Sequence, residues 1–184
     1  STRRNTLSGA MSVHEMLAPL QQQQQQLLDM LTHTPASDYS RQFHPDLSPL
    51  GWHLGHCVFT ETYWLREVVL AIDTISDEHK QLYIPELSVK TARATALPEH
   101  AELCQWAEDS QQQNLEHLSE LIDAGSDVAL MQDNFLVYFL CQHYAQHIET
   151  ANYILTQKNL QDDVGFEVES ALEAQAIQAN YHQL

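Results

Sequence analysis

Long stretches free of helix breakers constrain this chain most. From Glu99 to Ala124, and again from Ser126 to Val164, it carries neither proline nor glycine. Both stretches are far longer than a strand. They are rich in Leu, Ala, Gln and Glu, which lose little on entering a helix. Apolar residues recur in them every third or fourth position, the period of one helix face. The same spacing at Leu17, Leu20, Leu27 and Leu31 predicts a helix over 13–32. That helix runs through the glutamine tract 21–26, because leucines bracket it.

A second helix is expected from Ser48-Pro49 to about Ile72, with Ser48 as N-cap and Pro49 at the first position. The third spans 98–124 and stops at Gly125, a residue suited to the C-cap. A fourth covers about Asp127 to Lys158, and a last segment over 167–184 also reads as helical. Residues 33–49, with Pro35, Pro45 and Pro49, read as a linker. Residues 73–97 read as a long irregular connection, a kind that is often functional. The expectation is an all-α, up-and-down four-helix bundle over 11–160 with an extra C-terminal helix over 161–184. The short turn at Gly125 makes the third and fourth helices antiparallel neighbours. Residues 1–10 read as a leader or a disordered segment and are set apart.

Charge narrows the function. Eight Lys and Arg against 25 Asp and Glu leave a net charge of −17. Such a chain repels phosphate backbones and anionic membranes, so neither nucleic acid nor a membrane is an expected partner. Its apolar runs are too short to span a bilayer. Cys57, Cys104 and Cys141 form no disulfide framework, and residues 1–20 lack a signal-peptide core, so a cytoplasmic protein is expected.

The chemistry gathers on histidines. His143 and His147 are four apart within "CQHYAQHIET" and so point the same way. They fall on the stripe Leu136, Leu140, His143, His147, Ala151 and Ile154, which places them on the buried face. In "SPLGWHLGHCVFTETYW", Trp52, His56, Phe59 and Tyr63 share a stripe that carries His56 inward, while His53 points about 90° away. Buried imidazoles need partners for both nitrogens. Either His56, His143 and His147 hold a metal with open positions, as catalytic metal sites do, or Glu61, Glu149 and water satisfy them. Tyr144 stands where an H-E-x-x-H zinc hydrolase has its glutamate, which argues against a zinc protease. The cysteines read as small apolar residues.

These residues resemble a known family. "SPLGWHLGH", and "FLCQHYAQHIET" farther on, are similar to the DinB-like metal-binding domain. The likeness is to the form at the N-terminus of ergothioneine- and ovothiol-type sulfoxide synthases. Trp52, Leu54 and His56 match the family's W-x-L-x-H motif. His143, Gln146, His147, Glu149 and Thr150 match its H-x-x-Q-H-x-E-T motif, with Tyr144 where the family usually has Glu. The resemblance implies non-haem Fe(II) on His56, His143 and His147, with Ni, Zn or Co as substitutes in isolated material. It also implies an oxidoreductase of ergothioneine-type biosynthesis that joins a small-molecule thiol to a histidine-like substrate. Gln146 would face that substrate, and Arg93 would help hold the thiol. A formylglycine-generating-enzyme-like domain would follow, reached through the segment 167–184. Two alternatives stand beside this reading. One is a stand-alone DinB-type metal-dependent thiol transferase or hydrolase. The other is a non-catalytic helical module that binds a partner or forms a homodimer.

Overall fold

The computed structural model describes residues 11–163, all-helical but for turns and one isolated bridge between His44 and Leu47. The expected leader over 1–10 and the expected helix over 167–184 lie outside these residues. Helix α1 spans Val13–Thr32 and is capped by Ser12, whose Oγ accepts the Glu15 N–H. It passes through the glutamine tract and buries Gln24 beside the leucines. Helix α2 spans Leu50–Thr62 and continues as a π turn, Tyr63–Val69. Helices α3 (Asp77–Tyr83) and α4 (Lys90–Ala96) are short. Helix α5 spans His100–Asp123, and α6 spans Phe135–Asp162. No helix among the described residues is long and apolar enough to cross a membrane.

The all-α bundle is the expected one, but its neighbours are not consecutive in the chain. Helices α1 and α2 each pack on both α5 and α6, so α5 and α6 lie diagonally opposite. The carbonyl of Leu31 accepts from His100 Nε2, so the end of α1 meets the start of α5. Gly51 faces Leu103 and Glu61 bonds Asn114, so α2 and α5 run the same way. His53 and His56 on α2 face His147 and His143 on α6, so α6 runs against α2, and α5 and α6 are antiparallel without being neighbours. The connection between them crosses the bundle end in a 3₁₀ turn, Ala129–Asn134, in which Asp133 (φ 52°) and Asn134 (φ 58°) are left-handed. Asp and Asn tolerate that conformation. The same two residues start α6 at Phe135 rather than near Asp127.

Helix α5 ends as its sequence predicts. Gly125 (φ +62°) donates its N–H to Ile122 O, and the Ser126 N–H reaches Leu121 O. Beyond its own chain neighbours, nothing lies within 4 Å of where a Gly125 Cβ would sit. Gly125→Ala should therefore cost backbone strain alone, about 1–2 kcal/mol. Thermal unfolding checks this, and an unchanged midpoint would show that the turn relaxes freely.

The segment 73–97 departs most from expectation. It folds as α3, a 3₁₀ turn at Pro85–Leu87, and α4. Seven-residue helices hold too few turns to show a period in sequence. This segment covers the outer side of α2, so residues 50–59 are buried on every face. Ser48 does not cap α2. Its Oγ instead accepts from Arg93 Nη1 at 2.7 Å, and Pro49 occupies the cap position.

A polar layer crosses the bundle. Glu61, fully buried, accepts from Gln24 Nε2 and from Asn114 Nδ2. Asn114 Oδ1 accepts from Arg66 Nε, and Gln111 donates to the Tyr144 hydroxyl. Burial pushes the Glu61 carboxyl up to about 7 despite the hydrogen bonds that oppose the shift.

Candidate metal centre

Helix α2 sets the first ligand through its contact with α3. Trp52 and His56 lie one turn apart and stack, with centroids 4.8 Å apart and planes 8° from parallel. Trp52 Nε1 donates to Leu82 O at 2.8 Å. His56 Nδ1 lies 2.7 Å from Tyr83 O, and a carbonyl only accepts, so Nδ1 carries the proton. Both acceptors lie in the last turn of α3, where carbonyls lack helical N–H partners. Neutral His56 is left with a bare lone pair on Nε2.

Gly55 makes this docking fit. A Cβ there would lie 2.2 Å from Tyr83 Cε1 and 2.4 Å from its Cζ. The Tyr83 ring is itself held by Trp106, stacked at 5.9 Å, so it has no easy escape. Gly55→Ala should push α3 off α2 and release the His56 proton partner. The overpacking cost is about 1–3 kcal/mol, read by urea unfolding, and metal affinity should fall with it. An alanine variant of unchanged stability and affinity would show that α3 shifts without disturbing His56.

Antiparallel to α2, α6 brings His143 and His147 to His56. One nitrogen from each ring lies within 4.8 Å of the others. His56 Nε2 and His143 Nε2 are 3.1 Å apart. Two nitrogens about 2.1 Å from one ion, at right angles, stand about 3.0 Å apart. His143 Nδ1 is buried with no hydrogen-bond partner. Burial, then the neighbouring imidazoles, hold His143 down to about 4 and His147 lower still. Burial also lowers His56, against the pull of its Tyr83 bond. Three neutral imidazoles with converging nitrogens fit a divalent ion.

The sequence stripe needs one correction. The centre of the buried face of α6 is Tyr144 and Ile148, while His143 and His147 flank it and are half-buried. A core face excludes small molecules; its flank admits them. Glu61 is bonded to Gln24 and Asn114, and Glu149 is exposed. The cysteines are free, and Cys57 is a core residue whose thiol burial pushes up.

The remaining expected residues lie apart from one another. Gln146 is exposed on α6, and its backbone carbonyl accepts from Thr150. Arg93 is on α4 rather than in an irregular connection, and only 4 % exposed. Its guanidinium lies 3.8 Å over the Trp52 ring and bonds Ser48, Ser88 and Pro85, all neutral acceptors. Trp52 thus stands between Arg93 and His56.

Sequence reasoning missed His53. It is buried, and its Nδ1 lies 2.9 Å from His147 Nδ1. One buried stripe was assumed for α2, and a helix covered on every side has none. The signal was the run of apolar and small residues from Leu50 to Phe59, broken only by His53 and His56.

No curated protein matches the chain. Residues 19–151 match the DinB superfamily, a span that includes all three converging histidines. That match covers well over half of the sequence, and the chain belongs to the DinB superfamily.

Proposed function

We propose that this domain holds one divalent metal ion through His56, His143 and His147 and uses it to bind a small-molecule thiol. The observation that carries the reading is the convergence of three neutral imidazole nitrogens beside a half-exposed flank of α6. When bound, the ion supplies Lewis acidity and open coordination positions. The protein's share is to keep the imidazoles neutral, to fix the His56 tautomer through Tyr83 O, and to keep His143 and His147 reachable. Neutral ligands leave the charge of the ion uncompensated, which favours an anionic thiolate.

The finer form of the proposal is a non-haem Fe(II) oxidoreductase of the sulfoxide-synthase type. It would form a C–S bond between a thiol and a histidine derivative, completed by a formylglycine-generating-enzyme-like domain. The W-x-L-x-H and H-x-x-Q-H-x-E-T motifs support it. Gln146, exposed one residue before His147, is free to meet a substrate. Arg93 is assigned to the thiol through its positive potential, which its neutral partners do not cancel.

Metal analysis tests the reading, on protein as purified and after anaerobic Fe(II) loading. The expected result is about one ion per chain, as three converging donors hold one ion. Oxygen uptake that depends on both iron and a thiol would support the finer form. Metal-dependent transfer or hydrolysis of a thiol substrate without oxygen would favour the transferase or hydrolase. Metal without uptake alone is also what a domain inactive without its second domain gives. No metal under either condition would return the histidines to the core and leave an interaction module.

A further inference from the structure

His53 lies outside the converging cluster yet is tied to it. It is 7 % exposed, and Trp52 packs edge-on against it, centroids 5.3 Å apart. Its Nδ1 faces His147 Nδ1 at 2.9 Å, and its Nε2 is buried with no partner. Two neutral imidazole nitrogens that close must share one proton, and only two arrangements exist. If His147 donates, its Nδ1 carries the proton and its Nε2 offers a lone pair. If His53 donates, the His147 proton sits on Nε2 and neither of its nitrogens is free for an ion.

The orphaned nitrogen does not choose between them, since either arrangement leaves His53 Nε2 unsatisfied. The cluster does. The Nδ1 of His147 is engaged by His53, so its Nε2 is the nitrogen left to converge with His56 and His143. His56 already shows the same device, with its Nδ1 proton held by Tyr83 O and its Nε2 bare. Metal-ligating histidines generally give their second N–H to such an acceptor.

We propose that His53 is a positioning residue. Its Nδ1 accepts the proton of His147 Nδ1, fixes the tautomer of His147, and turns the Nε2 lone pair toward the ion. The proposal rests on the metal-binding reading, because only a lone pair turned toward an ion selects between the two arrangements.

The first test uses the full chain without metal. Long-range ¹H–¹⁵N correlation of the imidazoles at neutral pH should show His147 protonated at Nδ1 and bare at Nε2. His147 protonated at Nε2 would overturn the proposal, whether or not the protein binds metal. The second test measures Zn(II) affinity by competition with a chromophoric chelator. His53→Phe keeps a planar ring, somewhat larger than imidazole, and removes the acceptor. It should lower affinity about 10–100-fold with helical content retained. His53→Asn places a carbonyl oxygen near the lost Nδ1 and should recover most of that affinity. A folded phenylalanine variant of wild-type affinity, or an asparagine variant as weak as it, would overturn the proposal. If the phenylalanine variant does not fold, the asparagine variant and the wild-type tautomer still decide. A wild-type protein that binds no Zn(II) would sink the metal reading, and the tautomer measured without metal would still decide the proposal.

Discussion

His143→Ala is expected to bind divalent metal at least about a hundredfold more weakly, a loss of about 2.7 kcal/mol, while keeping its helical content. His143 is the ligand whose removal disturbs the fold least. It is half-buried on the flank of α6 and makes no hydrogen bond to backbone. Truncation leaves a notch open to solvent rather than a sealed cavity, and it removes the orphaned Nδ1. His56→Ala would confound the result, because His56 also stacks on Trp52 and bonds Tyr83 O. Calorimetric titration with Zn(II), beside far-ultraviolet circular dichroism, separates binding from folding. Stoichiometric metal held at wild-type affinity by the alanine variant would sink the assignment.

Glu61→Gln should stabilise the protein at pH 8 by about 3 kcal/mol and leave its stability near pH 4 almost unchanged. The carboxyl titrates at about 7 in the folded chain against 4.5 when unperturbed, because burial penalises the charged form. The folded state therefore holds a proton that the unfolded state releases between these values. Stability falls as pH rises through that window, and the full cost is present above 7. Glutamine keeps the shape and can satisfy both neighbours. Its carbonyl accepts from Asn114, and its amide can donate to Gln24 once that side chain is turned over. The buried histidines act in the opposite sense, since lowered values cost stability as pH falls, but they are common to both proteins. Urea unfolding at pH 4, 6 and 8 isolates the Glu61 share as a difference. Parallel pH profiles for the two proteins would show that Glu61 stays ionised in the fold.

Helices α1, α5 and α6 were legible because each repeats its apolar period over several turns. Gly125 marked the end of α5, and Gln24 shows why the glutamine tract does not break α1. Arrangement was less legible. Nothing in a turn's length says whether it joins neighbours or crosses a diagonal, and Asp133-Asn134 makes the difference here. Of the site, the converging set His56, His143 and His147 was readable from helical spacing. His53 was not, because the burial of α2 on its outer side depends on α3 and α4, whose helices are too short to announce themselves. The burial of Arg93 was not legible for the same reason, since it depends on Trp52 and Ser48, far away in sequence.

The seating of α3 on Trp52 and His56 makes the ligand set depend on a segment that supplies none of its nitrogens. Two side-chain N–H groups hold Leu82 O and Tyr83 O. When residues 77–83 peel away by local unfolding, His56 loses the partner that fixes its tautomer. Opening and coordination are then competing equilibria, and thermodynamic reciprocity requires each to weigh on the other. Metal bound at the histidines should slow hydrogen exchange at the Trp52 indole and along α3, although neither touches the ion. Solvent changes that loosen α3 should, by the same linkage, weaken the hold on metal before the bundle itself unfolds.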